Sequence, residues 1–203
     1  YTLAALVKRA GGVPRVLPIV RDDRALLRAA IEEARAADLI VSTGGVSVGA
    51  HDHVKEVLAE LGAELDLWRV AMKPGKPVAI ARLDEVPYFG LPGNPVSAVV
   101  AFLLFVRPAL RTALGCAQPF DLPRARAILD GPLTIKGERR SYLRAHLRFD
   151  AAGELRARLM PHQGSHLVTS LLGANGLVIV EPGAHALSAG ASVSAHVIGP
   201  LLS

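Results

Sequence analysis

Apolar positions in the first half of the chain recur at helical spacing, then at strand spacing. Leu26, Leu27, Ala30, Ile31 and Ala34 repeat every three or four positions, which predicts a helix started by Asp22 or Asp23. Residues 2–10 read as an earlier helix, capped by Thr2 and stopped by Gly11-Gly12. Between them, residues 13–20 are β-type despite Pro14 and Pro18. Residues 38–42 predict a short buried strand, and residues 53–61 a helix capped by Asp52 and stopped by Gly62. Strands follow at 65–72, 77–83 and 86–91, the last two close enough for an antiparallel hairpin through Asp84-Glu85. An apolar helix over 96–114 closes this half, with Pro95 in its first turn and Pro108 expected to kink or break it. Helices alternating with short apolar strands predict an α/β layer with a mostly parallel sheet.

The texture changes near residue 118. From Arg140 to Phe149 the chain alternates strictly, with Leu143, Ala145, Leu147 and Phe149 on one face and Tyr142, Arg144, His146 and Arg148 on the other. A turn at 150–153 leads to a second alternating strand at 155–159, where Arg156 and Arg158 oppose the apolar residues. Further strands are expected at 124–129, 176–181 and 192–198. The domain reading is therefore an α/β unit over residues 1–116 and a small β-barrel-like domain over 117–203.

Composition narrows the picture. Apolar residues make up 51% of 203, enough for a buried core. The longest apolar run, 96–106, is about half a bilayer span and ends at Arg107-Pro108, so it reads as a buried helix and no membrane role is expected. No secretory signal pattern opens the chain, which begins at Tyr1 and reads as a fragment. The single cysteine, Cys116, excludes an internal disulfide and fits a cytoplasmic protein. Net charge is +5, but aromatics are only 4% and no basic run exists, so nucleic acid is not an expected partner. Only five lysines stand beside eighteen arginines, and two of the five, Lys73 and Lys76, flank one Pro-Gly pair.

Three loops carry the chemistry. The first, from Ser42 to Gly49, leaves the end of a strand, where open α/β sheets bind ligands. Its glycines Gly44, Gly45 and Gly49 let backbone N–H groups converge on an anion, while Thr43 and Ser47 offer hydroxyls. No Gly-Lys-Ser/Thr follows, so it is not a Walker loop. Asp52 after it suits either the helix cap or a Mg2+ ligand. The second loop, Lys73-Pro74-Gly75-Lys76-Pro77, holds two ammonium groups on a stiff turn that an anion would relieve. The third, with Pro92, Gly93, Asn94 and Ser97, runs into a helix N-terminus that favours phosphate or carboxylate. In the second domain, Pro161-His162-Gln163-Gly164-Ser165-His166 reads as a polar loop, either contacting ligand or capping the next helix. The face carrying Arg144, Arg148, Arg156 and Arg158 reads as a solvated sheet surface or an anion contact.

Gly-Gly-Val-Ser-Val-Gly followed by Asp52, then Lys-Pro-Gly-Lys-Pro, then Gly-Leu-Pro-Gly-Asn-Pro-Val-Ser resembles the molybdopterin molybdenumtransferases, the MoeA and gephyrin E-domain family. The motifs stand in family order and spacing, and the trailing His-Gln-Gly-Ser domain resembles that family's C-terminal domain. The resemblance implies a molybdopterin-binding-like fold and an enzyme that inserts molybdate into adenylylated molybdopterin, releasing AMP and molybdenum cofactor with Mg2+ present. Asp52 matches the family's acidic residue tied to metal and phosphate. Lys73 and Lys76 match its lysines near the pterin phosphate and oxyanion, and Ser165 matches a contact from the C-terminal domain.

Family members carry two further N-terminal domains, and their α/β domain opens with a strand ending in Thr-Gly-Asp-Glu-like residues and an Asp-Ser-Asn segment. This chain starts after both. The family also implies a homodimer with a site completed across subunits, and a molybdopterin adenylyltransferase as a candidate partner. The alternatives are that adenylyltransferase activity itself, or a non-catalytic pterin-binding or scaffold module.

Overall fold

The structure is a computed structural model that describes residues 1–46, 53–118, 120 and 122–201. It divides into two units, one of residues 1–70 and 75–120, the other of residues 71–74 and 121–203.

In the first unit, α1 (Thr2–Arg9) begins after Tyr1, so Thr2 is the first helical residue rather than the cap. Its stop is as expected: Gly11 takes φ +97°, and the Gly12 N–H donates to Val7 O at 3.0 Å. Residues 13–20 form no strand. Pro14 and Pro18 lack the N–H a ladder needs, and Val13, Val16 and Ile19 are exposed. Of the two candidate caps, Asp23 is the one used, its Oδ1 accepting from Leu26 N at 2.9 Å to start α2 (Arg24–Ala34). Ile31 from α2 joins Val54, Val57 and Leu58 from α3 (His53–Glu60) in the core, where they cover Ile40, Ala79, Ala81, Leu83 and Tyr88 of the sheet.

That sheet comprises β1 (Ile40–Thr43), β2 (Glu64–Arg69), β4 (Pro77–Leu83) and β5 (Val86–Leu91), in the order β1-β5-β4-β2. The α/β architecture is as predicted, but among the described residues the sheet is mixed. Only β1 and β5 pair in parallel; β5–β4 and β4–β2 are antiparallel. The physical reason is the Asp84-Glu85 hairpin, with Asp84 at φ +53°: so short a turn can only reverse the chain.

The expected strand over 65–72 divides into β2 and a two-residue strand, β3 (Met72–Lys73), which belongs to the second unit. Pro108 does not break the last helix. α4 (Pro95–Ala101) continues through a π-helical stretch, Phe102–Val106, into α5 (Arg107–Ala113). The Arg107 N–H reaches back five residues to Phe102 O, a wider turn of the kind that accommodates a residue with no N–H to give. By length and composition Pro95–Ala113 is apolar enough to cross a membrane, yet Val96 to Leu103 lie buried in the unit, as in a core helix.

The second unit is a closed five-stranded barrel of β6 (Arg124–Leu129), β8 (Arg140–Phe149), β9 (Leu155–Leu159), β10 (Gly176–Val180) and β12 (Ser192–Val197). It closes because β8 pairs with β9 on one edge and β10 on the other. Alternating residues Leu143, Ala145 and Leu147 of β8 meet Ala127, Leu129, Ala157, Val178 and Ala195 in the interior. The sequence pattern missed a separate two-stranded antiparallel ladder, β7 (Leu133–Gly137) with β11 (Gly183–Leu187), whose residues are mostly exposed and lack a clean apolar alternation.

Candidate functional site

The first and third loops are sewn to each other at the end of β1 and β5. Parallel pairing sets Thr43 opposite Leu91. Beyond that pair, Gly44 N–H donates to Leu91 O and Thr43 Oγ1 donates to Pro92 O, both at 3.0 Å. Gly44 and Gly45 take φ +84° and +67°, values that favour glycine. A side chain at Gly93 would come within 3.6 Å of Gly44 Cα, so the two backbones run in contact. Gly90 is more constrained still, since a Cβ there would lie 2.6 Å from Val46 and 3.1 Å from Ala79. Beneath the seam, Ser42 Oγ and the buried Tyr88 hydroxyl share a 2.6 Å hydrogen bond with no counterpart in the sequence pattern.

This geometry alters two expectations. The Thr43 hydroxyl proton and the Gly44 N–H are used to join the loops, so they hold the site's frame rather than facing an anion. Gly45, Gly93 and Asn94 remain at the surface or near it, whereas Pro92 and Ser97 are buried. Asn94 precedes α4 with extended backbone, its carbonyl accepting from Ala98 N at 2.9 Å, and Pro95 stands in the first turn as expected. Ser47, Gly49 and Asp52 lie outside the described residues. Among the described residues there is no group of three or more His, Cys, Asp or Glu side chains placed to hold a metal.

The lysine loop spans both units. Lys73 and Lys76 are exposed while Pro74 and Gly75 between them are buried. Lys76 O accepts from Val70 N at 3.0 Å in the first unit. Lys73 lies on β3, which pairs in parallel with the start of β8, Lys73 opposite Ser141. Two further bonds fix this strand: Arg140 N donates to Ala71 O at 3.1 Å and Arg139 Nη1 to Met72 O at 3.2 Å.

Farther along β8 the loop from 161 to 166 is fastened to Arg144. The Arg144 side chain is only 1% exposed, and burial pushes its guanidinium down from its ordinary value. It donates from Nη2 to His162 O at 3.0 Å and Gly164 O at 3.2 Å, and from Nε to Ser170 Oγ at 3.2 Å. Gln163 grips the backbone of the same residue. Its Oε1 accepts from Arg144 N at 3.0 Å, and its Nε2 donates to Arg144 O and Met160 O, both at 2.9 Å. Ser165 follows, half-buried, and His162 and His166 are exposed.

The reading of these four arginines as a solvated surface or an anion contact is therefore corrected at Arg144. Arg144 is an interior clamp, Arg148 and Arg156 share Asp130 at 3.2 and 3.0 Å, and Arg158 is exposed. Strict alternation put Arg144 on the outer face of the strand, but the loop folds over that face and buries it.

Strand β8 thus works as a ruler. Arg140, Arg144 and the residues between them that share their direction present backbone to the edge occupied by β3, then Gln163, then β9. Lys73 and the 161–166 loop, some ninety positions apart in the chain, meet that edge three residues apart, or roughly 10 Å. The sequence singled out both segments but held no signal that one strand joins them.

Comparison with known proteins agrees with this architecture. Residues 1–112 match the family described as "Probable molybdopterin binding domain", and residues 126–198 match "MoeA C-terminal region (domain IV)". A molybdopterin molybdenumtransferase of Nostoc sp. is 36% identical over 198 residues, covering 95% of this chain and 45% of that protein. Molybdopterin molybdenumtransferase 1 of Mycobacterium tuberculosis is 38% identical over 198 residues, 94% of this chain and 46% of its own. The crystal structure of a molybdopterin biosynthesis MoeA protein from Pyrococcus horikoshii superposes with a TM-score of 0.80 at 29% identity, covering 98% of this chain and 47% of that one. The chain spans about half the length of the relatives it matches. With its α/β layer, its closed barrel and both family matches in sequence order, the chain belongs to the MoeA family of molybdopterin molybdenumtransferases.

Proposed function

We propose that the protein carrying this chain inserts molybdate into adenylylated molybdopterin, releasing AMP and molybdenum cofactor. The observation that carries this reading is the meeting of Lys73 and the 161–166 loop on one edge of β8, which gathers a cation and a hydroxyl-bearing loop in one barrel. Both ligands are anions, one a tetrahedral oxyanion and one a phosphate ester. In the barrel unit Lys73 supplies compact positive charge for such an anion; in the first unit Lys76 supplies another, and the Gly45 and Gly93–Asn94 backbones form a glycine-lined surface suited to a phosphate. Ser165 contributes a hydroxyl from the barrel. The match of residues 126–198 to the MoeA C-terminal region favours this activity over the adenylyltransferase alternative.

Mg2+ belongs to the same proposal. Bound at Asp52, it would neutralise charge at the cleaved phosphate. Asp52 stands where the family motif carries its acidic residue after the glycine loop. A homodimer, a cytoplasmic location and a handover from molybdopterin adenylyltransferase complete the reading, each taken from the family resemblance.

The test is direct. Incubating the full-length protein with adenylylated molybdopterin should give AMP only when molybdate is added, together with cofactor that reconstitutes an apo-molybdoenzyme. Neither product appearing from folded protein would overturn the proposal.

A further inference from the structure

The edge of β8 offers an inference about how the barrel loop is aimed. β9 ends at Leu159, opposite Ala145, and Met160 N adds one more bond, to Arg144 O at 2.9 Å. Past that point, among the described residues, no strand lies on this edge until β3 pairs with Arg140 and Ser141. The Gln163 side-chain amide fills the interval. Its oxygen takes the Arg144 N–H and its nitrogen serves the Arg144 carbonyl, as a strand residue's peptide group would. The third bond, to Met160 O, ties the amide to the end of β9. From below, the Arg144 guanidinium holds the carbonyls on either side of Gln163, at His162 and Gly164. Five hydrogen bonds thus fix three consecutive residues, and Ser165 is the next one along.

We propose that Gln163 is a positioning residue that acts through Ser165: its amide stands in for a missing strand residue and fastens the loop that carries Ser165 to the same β8 edge that Lys73 joins. The inference rests on the transferase reading and deepens it. A loop aimed this way contributes to binding the anionic substrate without Gln163 touching it. Loss of the amide releases the loop from the edge while the interior face of the barrel, built from Leu143, Ala145 and Leu147, keeps its packing.

The test is a double-mutant cycle in the full-length protein, read as kcat and KM for molybdate-dependent AMP release. Gln163→Met keeps the bulk and removes all three bonds; Gln163→Glu keeps the acceptor and loses the donor. Each should lower kcat/KM by about tenfold or more, mainly through KM, with Ser165→Ala causing a similar loss. Combined with Ser165→Ala, either Gln163 variant should add less than about twofold, because both act on one hydroxyl. Multiplying effects would overturn the inference while leaving the transferase reading intact. So would unchanged kinetics in the Gln163 variants, or loss of folding in both, which would make Gln163 a barrel residue only. Absence of AMP release from the unsubstituted protein would instead defeat the reading on which the inference stands.

Discussion

The glycine loops of the first unit and the 161–166 loop of the barrel are both held firmly, but by different parts of the polypeptide. At the end of β1 and β5, backbone approaches backbone: Gly44 N–H meets Leu91 O, Gly93 lies on Gly44, and the Thr43 hydroxyl adds a side-chain bond to Pro92 O. In the barrel, side chains do the fastening. Gln163 occupies the backbone of Arg144 on one edge of β8, and Asn175 does the same for Leu147 on the other. Asn175 Oδ1 accepts from Leu147 N at 2.6 Å, while Nδ2 donates to Leu147 O and Pro200 O, both at 2.9 Å. Close backbone approach requires that side chains be absent, and amide surrogates require that they be present. The two designs should therefore fail under opposite substitutions.

The largest effect is expected at Arg144. Arg144→Met keeps volume but leaves the carbonyls of His162 and Gly164 and the Ser170 hydroxyl without their donor, at a cost of about 3 kcal/mol in chemical denaturation. Unchanged or increased stability would mean that burying this cation costs as much as its bonds contribute. Asn175→Ala should cost about 2 kcal/mol, since both backbone groups of Leu147 lose their partner in a buried setting.

In the first unit the corresponding break is an added methyl group. Gly90→Ala would drive a Cβ into Val46 and Ala79, an overpacking worth about 1–3 kcal/mol, whereas Gly131→Ala, which meets open space, should be nearly neutral. Equal effects at these two positions would remove the argument from close approach. Thr43→Val tests the side-chain bond from Thr43 to Pro92 O and should cost about 1 kcal/mol.

The smallest effect is a pH dependence. His196 stacks on Tyr142 with ring centroids 6.3 Å apart, and burial holds its pKa below the ordinary histidine value. The unfolded chain then binds this proton more readily than the folded one. Barrel stability is therefore full above about pH 6.5 and declines as pH falls below that value toward the folded pKa. His196→Gln should flatten that slope in a pH series of melting temperatures, and an unchanged slope would assign the titration elsewhere.

The same contrast explains what the sequence could tell. Glycine and proline punctuation is a statement about backbone, so the loops around Gly44 and Gly93, the Asp84-Glu85 hairpin and most barrel strands were legible. The antiparallel pairing of β2 with β4 was not, because strand periodicity is the same for both directions and no short turn joins them. Residues 13–20 misled through β-branched composition, with two prolines outweighing it. Arg144 misled in another way: alternation tells which face a side chain leaves from, not whether a later segment covers that face. The strand-replacing role of Gln163 and Asn175 had no pattern, since an amide that replaces a strand residue is defined only by its partner in space.

The most direct measurement of the central claim is turnover by the full-length protein with Lys73→Ala and Lys76→Ala combined. Both side chains are exposed, so the fold should persist with an unchanged melting temperature. The account predicts that molybdate-dependent AMP release falls by at least about a hundredfold, as expected when charge stabilisation is removed from a reacting oxyanion. Turnover equal to that of the unsubstituted protein would contradict it.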